Sequence, residues 1–336
     1  MELFVVRPWT KTNKRVCIVR YGAWGDAIMM SPVLRKYKEE GWHVTLNCTE
    51  KCFEILRTNP YIDAFIVQKS NEIPMDKLED HWKKLKRQFD KLVNLSGSVE
   101  NSLLISPGQK EYTWNREKMA KRCNKNYYDN TMALAGFKKE TGLVGEMHFT
   151  KNEENFGKRI RKKYKGFLVL WCLSGSSIHK IYPYAENVLH AIADGIPGVR
   201  IILIGEPGCK GLVSPHKRII DKCGEIGIRE GCVLTKYVDL VVSPETSILN
   251  AVGCFDTPKI AILSHSSQEN LTKYFRSCYN IVPEVPCYPC HKLHYTRDTC
   301  PLNKDTNHPI CMALLHPLKI LNPIEKVYIA WKQNHL

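Results

Sequence analysis

The run Val16-Cys17-Ile18-Val19-Arg20-Tyr21-Gly22-Ala23-Trp24-Gly25-Asp26 decides how the rest of the chain is read. Its first six residues are mostly apolar and form a strand-like segment. Two glycines then let the chain turn sharply, and Ala27 to Glu40 carries helical spacing. Strand, glycine loop and helix in that order are the opening of a βα unit. The pattern repeats. His43 to Asn47 reads as a strand, Lys51 to Thr58 as a helix, Asn59-Pro60 as a turn and Ala64 to Val67 as a third strand. Three βα steps within about fifty residues predict a parallel α/β sheet.

Beyond this block, Asn71 to Lys91 reads as helical and basic, and Lys91 to Leu95 as a further strand. Pro107 to Tyr128 is less regular and mixes Lys110, Arg116, Lys118, Lys121, Arg122 and Lys125 with Tyr112, Trp114, Tyr127 and Tyr128. We place it on the open face of the first domain. Lys151 to Lys165 is a charged stretch expected to be a helix leading into the domain boundary. The βα pattern then restarts with a strand at Phe167 to Leu173, a polar loop at Ser174 to Lys180, a helix at Tyr184 to Asp194 and a strand at Val199 to Ile204. It continues through a strand at Asp239 to Val242, a helix at Thr246 to Gly253 and a strand at Lys259 to Leu263. The last clear helix, Pro323 to Gln333, has proline at its first turn, where a missing N–H costs nothing. The expected division is 1–160, 161–320 and a closing helix, 321–336, that packs back toward the first domain. Two α/β domains with loops at the carboxyl ends of their strands are expected to face a central cleft.

Composition narrows the class. The chain has 336 residues, 43% hydrophobic and 25% charged, and its 20 glycines and 18 prolines are scattered, so disordered, collagen-like and coiled-coil classes are excluded. Lysine and arginine total 49 against 34 aspartates and glutamates, a net charge of +15 that predicts an anionic partner. No apolar run reaches the roughly 18 residues of a membrane span, and the first residues lack a basic region before a short apolar run and a small-residue cleavage site. A cytoplasmic place is expected, with a peripheral one at the inner membrane as the other option. In such a compartment the 14 cysteines are mostly reduced thiols.

Several polar groups are placed for chemistry, each with a plainer alternative. Asp26, just after Gly25, is either a cap satisfying helix amides or a carboxylate base. The loop Leu173 to Lys180 brings amides, the hydroxyls of Ser174 and Ser176 and the Lys180 ammonium toward a phosphate, or is simply solvated. The turn Ser243-Pro244-Glu245-Thr246-Ser247 stands at a strand-to-helix junction from which the same diphosphate can be gripped. Glu206, past the strand ending at Gly205, is placed to accept hydrogen bonds from ribose hydroxyls or is a surface glutamate.

Taken together these segments resemble glycosyltransferase family 9, the heptosyltransferase family with the GT-B fold, over nearly the whole chain. The stretch from Arg20 to Gly41, RYGAWGDAIMMSPVLRKYKEEG, is similar to the family's opening loop and helix, whose aspartate is the proposed catalytic base; here that is Asp26, with Trp24 and Gly25 beside it. NPYIDAFIV, from Asn59 to Val67, is also typical. In HKIYP the resemblance makes Lys180 the donor-phosphate lysine. The stretch from Val238 to Leu263 resembles the family signature, D-[ST]-G-x-x-H before a helix, with changes: Glu245 replaces the aspartate, Thr246 is retained, Ser247 stands for glycine and Asn250 for histidine. The altered residues lie where the family holds its nucleotide sugar, so ADP-heptose does not carry over unexamined.

The resemblance implies an inverting, metal-independent GT-B glycosyltransferase. It would move a sugar from an ADP-heptose-like nucleotide sugar to a hydroxyl of a polyanion such as the inner core of lipopolysaccharide. No Asp-x-Asp occurs in the chain, so the leaving phosphate would be met by protein groups. Acceptor contacts are expected from Trp24, Arg116, Lys118, Lys121 and Arg122. Basic residues interleaved with Tyr and Trp suit nucleic acid equally, which makes transfer to a hydroxymethylated DNA base the alternative. A non-catalytic GT-B binding protein is the third reading. Near the C-terminus, Cys287, Cys290, Cys300 and Cys311 have the count and spacing of a structural zinc site, with His291, His294 or His308 as substitutes, or are four buried thiols.

Overall fold

The first sheet is built from β1 (Glu2–Val5), β2 (Arg15–Arg20), β3 (His43–Thr49), β4 (Ala64–Gln68) and β5 (Lys91–Asn94) in the order β1-β4-β3-β2-β5. All pairs are parallel except β1 on β4. β2, β3 and β4 advance toward one edge, while β5 joins the opposite side of β2. The topological switch therefore lies beside β2, at the glycine loop. In this computed structural model residues 1–11, 14–69, 72–96, 115–291 and 300–335 are described. They fall into two compact units, Met1–His148 and Phe149–Leu336.

The first unit also contains α1 (Trp24–Glu39), α2 (Glu50–Leu56), α3 (Leu78–Lys86), α4 (Arg116–Cys123) and α5 (Tyr127–Leu134). α1 buries Ala27, Ile28, Met30, Val33, Leu34 and Tyr37, the 3–4 spacing of a helix that presents one apolar face to a core. Pro32 lies inside it and has no N–H for the carbonyl of Ile28. The Ser31 hydroxyl donates to that carbonyl instead, at 2.7 Å, which is how the helix tolerates a proline in its middle. β1 is absent from the sequence reading. It is held by Asp63, whose backbone carbonyl accepts from the amides of Val6 and Arg7 at 2.8 and 2.9 Å. The buried Asp63 carboxylate is bonded by the Val44 amide, Lys38 and Arg7.

The second sheet runs β11-β10-β9-β6-β7-β8 and is wholly parallel. Its strands are β6 (Leu168–Cys172), β7 (Arg200–Ile204), β8 (Ile219–Asp221), β9 (Leu240–Pro244), β10 (Lys259–Ile262) and β11 (Cys278–Ile281). β6 and β9 are buried along their whole length, as central strands covered on both faces must be. The helices are α6 (Lys151–Lys163), α7 (Ala185–Gly195), α8 (Ile228–Leu234), α9 (Ser247–Gly253), α10 (Gln268–Leu271), α11 (Ile310–Ala313) and α12 (Leu318–His335).

Two boundaries differ from expectation. The first unit ends at His148, not at 160. α6 belongs to the second unit because Glu153, in its first turn, pairs with Arg229 of α8 at 2.5 and 2.8 Å. Gly157, in its middle, lets the Tyr237 ring approach so closely that a Cβ would lie 2.2 Å from it. The closing helix starts at Leu318, so Pro323 is inside it and not at its first turn. Its Ile320, Ile324 and Val327 belong to the core cluster of the second unit with Phe167, Leu189 and Ile260.

Candidate functional site

In the first unit the turn after β2 delivers Asp26 as the third residue of α1. Its Oδ2 accepts from the Ala23 amide at 2.8 Å, the reciprocal half of a capping box. Its Oδ1 lies 3.0 Å from a guanidinium nitrogen of Arg20. The capping reading of this residue is what the structure shows, and the side chain is partly open to solvent, 14% exposed. Gly22 is what admits it. A Cβ at Gly22 would stand 2.6 Å from Oδ2, and its φ of +153° is one that L-residues rarely adopt. Gly25, buried in the first turn of α1, precedes it. Cys52 is buried nearby; burial, chiefly, pushes its thiol up to about 11, and Asp26 adds to that while Arg20 opposes it. Trp24 turns to α2, donating from its indole nitrogen to Glu54 at 2.9 Å with the Lys51 ammonium 5.1 Å above its ring.

In the second unit the order in which strands are added reverses between β6 and β9, which are neighbours. The loops beyond these two strands carry the expected donor residues. Lys180 and Thr246 converge on Gly175, where a Cβ would lie 2.8 Å from Lys180 Cδ and 3.0 Å from Thr246 Cγ2. The Lys180 ammonium is 3.4 Å from the Ser176 hydroxyl. Thr246 Oγ1 is 2.9 Å from Ser243 Oγ and 3.9 Å from Cys172 Sγ, a partner 74 residues away in the chain. Ser174 Oγ is shielded from solvent and has no hydrogen-bond partner among the described residues. Crests of this kind, at a switch point outside the carboxyl ends of parallel strands, are where open α/β sheets bind ligands. Cationic, hydroxylated and glycine-opened, this one suits an oxyanion.

Glu245 does something else. Its carboxylate is buried and already supplied with donors: the hydroxyl of Ser264 at 2.6 Å, the amide of Ser266 at 2.9 Å and the hydroxyl of Ser266. His265 Nε2 lies 3.3 Å away. Burial, aided by Lys180, His291 and His179, holds the His265 pKa well below its ordinary value. Glu245 thus fastens the end of β9 to the loop after β10. Asn250 turns back along α9 to donate to the Thr246 carbonyl at 3.1 Å. Ser247 opens α9 and is half-buried, while Glu206 is exposed beyond β7.

Of the expected acceptor residues, Arg116, Lys118, Lys121 and Arg122 all fall on α4, where Lys118 and Lys121 are exposed. Lys110, Tyr112 and Trp114 lie outside the described residues, as does His294. The cysteine expectation fares differently. Burial pushes the Cys311 thiol up to about 12, and Cys300, Cys290 and Cys287 act on it in the same direction. Among the described residues, however, no three His, Cys, Asp or Glu side chains are arranged to hold a metal ion. No helix among them is long and apolar enough to cross a membrane.

No protein-family model matches the chain, and no curated protein sequence matches it. Solved structures do. A glycosyltransferase family 9 structure from Veillonella parvula aligns with a TM-score of 0.67 at 12% identity, over 94% of this chain and 97% of that one. The ADP-heptose lipopolysaccharide heptosyltransferase II of E. coli aligns at 0.64 and 13% identity, over 94% and 99%. The iron-containing dodecameric glycosyltransferase TibC of enterotoxigenic E. coli aligns at 0.62 and 12%, over 95% and 77%. Across almost its entire length, the chain has the GT-B fold of the family 9 glycosyltransferases.

Proposed function

We propose that this protein is an inverting glycosyltransferase that moves a sugar from a nucleoside-diphosphate sugar to a hydroxyl of an anionic acceptor. The observation that carries this reading is the meeting of Lys180, Thr246 and Gly175 at the switch point of the second sheet. There the Lys180 ammonium and the Ser174, Ser176 and Thr246 hydroxyls would bind the donor diphosphate and stabilise the charge it gains on leaving. In the first unit Asp26 would hold the acceptor hydroxyl by a hydrogen bond. The hydroxyl oxygen bonds to the anomeric carbon, the bond from that carbon to the phosphate oxygen breaks with its electron pair leaving on the diphosphate, and the hydroxyl proton passes to Asp26. Attack opposite the leaving group inverts the anomeric centre.

An adenine nucleotide carrying heptose is the first donor to try, since two of the similar structures are described with ADP-heptose or its fluoro analogue. The net charge of +15 and the exposed Lys118 and Lys121 support a phosphorylated oligosaccharide acceptor such as a lipopolysaccharide core. The test is a thermal-shift screen of ADP, UDP, GDP and CMP sugars, followed by transfer assays of the best donor on lipopolysaccharide core and on hydroxymethylated DNA. Sugar on the core supports the reading, sugar on DNA replaces the acceptor class, and binding without turnover of any donor leaves a non-catalytic protein.

We propose in addition that Cys287, Cys290, Cys300 and Cys311 bind a structural metal ion. Four thiolates suit zinc or iron, and a Cys-x-x-Cys pair followed by two later cysteines is what supports the assignment. Metal analysis of the purified protein, with Cys300→Ser and Cys311→Ser as comparisons, tests it: about one zinc or iron per chain, lost in the variants, is expected. Metal-free protein of unchanged stability counts against it.

A further inference from the structure

Arg20 ends β2 with its guanidinium buried, 1% exposed. Removing such a group from water is costly, and an apolar side chain of similar volume would fill a strand end at no such cost. Its surroundings show what the charge is for. One terminal nitrogen donates to the Tyr21 carbonyl at 3.0 Å, holding the glycine turn, and the other lies 3.0 Å from Asp26 Oδ1. The second oxygen of the same carboxylate is taken by the Ala23 amide. Asp26 is therefore gripped at both oxygens, by a cation from the strand and by an N–H from the turn, while the missing Cβ of Gly22 leaves room for it. An ionised carboxylate has about four acceptor sites. The Ala23 amide takes one of them and the Arg20 guanidinium faces Oδ1 as an ion partner, so acceptor sites are left for a further donor and the side chain keeps a solvent-facing part, 14% exposed.

We propose that Arg20 is the positioning residue of Asp26: through a buried ion pair it holds the carboxylate in the place where an acceptor hydroxyl meets it. The proposal rests on the reading of Asp26 as the base, and it gives the strand a role in the chemistry that the turn alone would not supply. Geometry of this kind is costly to lose, since a misplacement of about 1 Å in a reacting group lowers a rate by about 100-fold.

The test uses the full chain, Arg20→Met and Arg20→Lys, with Asp26→Asn as reference. Two readouts are taken: turnover of whichever of the ADP, UDP, GDP and CMP sugars the unaltered protein uses, and crystal structures of both Arg20 variants. In Arg20→Met, kcat is expected to fall about 100-fold with the donor KM within about threefold, and the Asp26 carboxylate to leave the Ala23 amide. Arg20→Lys keeps the charge and is expected to recover at least about tenfold of the loss, which a purely structural arginine would not show. If Arg20→Met does not fold, the lysine variant decides: Asp26 held as in the unaltered protein with most activity retained supports the proposal. The proposal is overturned if Asp26 stays in place and kcat stays within about twofold in Arg20→Met while Asp26→Asn is inactive. If the unaltered protein turns over no donor, the glycosyltransferase reading fails by itself, and the position of Asp26 in the variant crystals still judges Arg20.

Discussion

The Asp26 carboxylate occupies the space that a side chain on Gly22 would fill, 2.6 Å from where the Cβ would be. Sequence proximity alone does not require this, since the turn has to fold over the first turn of α1 before the two meet. Gly22→Ala is therefore expected to push the carboxylate off the Ala23 amide and the Arg20 guanidinium. Transfer should fall by about 100-fold with little change in nucleotide affinity, as measured by steady-state kinetics beside calorimetry. Wild-type turnover in Gly22→Ala would show that the position of Asp26 is not critical.

Lys180 supplies the positive charge at the crest of the second sheet. Replacing it with methionine removes that charge and retains much of the stem that packs against Gly175. Nucleoside-diphosphate affinity should weaken about 10- to 100-fold, the range of a lost charge-assisted contact, and the salt dependence of binding should become shallower. Titration calorimetry at two ionic strengths measures both. Unchanged affinity would remove Lys180 from the phosphate site.

The pairing of Glu153 with Arg229 makes a pH signature. Burial works against ionisation of Glu153, but Arg229 and the Thr150 amide outweigh it and hold the carboxyl at about 2 against an ordinary 4.5. Because the folded value is the lower one, the stabilisation is present above the ordinary value and is lost as pH falls from about 5 toward 2. Glu153→Gln should cost about 2 kcal/mol at neutral pH and flatten the acid limb of stability, as followed by urea denaturation across that window. An acid limb as steep as in the unaltered protein would locate the titration elsewhere.

Gly157→Ala should destabilise the second unit by about 1 to 3 kcal/mol, the usual cost of overpacking. Its Cβ would meet the Tyr237 ring at 2.2 Å, and that ring is also tied by its hydroxyl to Glu154. Combining it with Tyr237→Leu should return part of the loss, because a smaller neighbour relieves the clash. A midpoint of thermal unfolding unmoved by Gly157→Ala would mean that α6 can shift away freely.

Much of this arrangement was legible in the sequence, because buried parallel strands are apolar runs and their following loops are polar. Arg15–Arg20 and Leu168–Cys172 could be found that way, and Lys180 and Thr246 were placed at the same crest because each follows a buried strand. What escaped depends on side-chain direction or on distant partners. Glu245 looks like a ligand-binding acid by position, yet its carboxylate turns to Ser264 and Ser266, which only the loop after β10 could supply. β1 reads as an unremarkable terminus, since an edge strand held by Asp63 has no alternating pattern of its own. Pro323 suggested a helix start, but Ile320, buried before it, shows that packing of the preceding turn prevailed over the missing N–H.

The allocation of α6 also fixes where this chain can be recombined with another of its fold. A chimera joined at residue 161 would take Glu153 and Gly157 from a foreign parent, leaving Arg229 and Tyr237 to meet side chains that never adapted to them. A crossover between His148 and Phe149 keeps helix, guanidinium and ring from one parent, so that the two units can be exchanged without disturbing that seam.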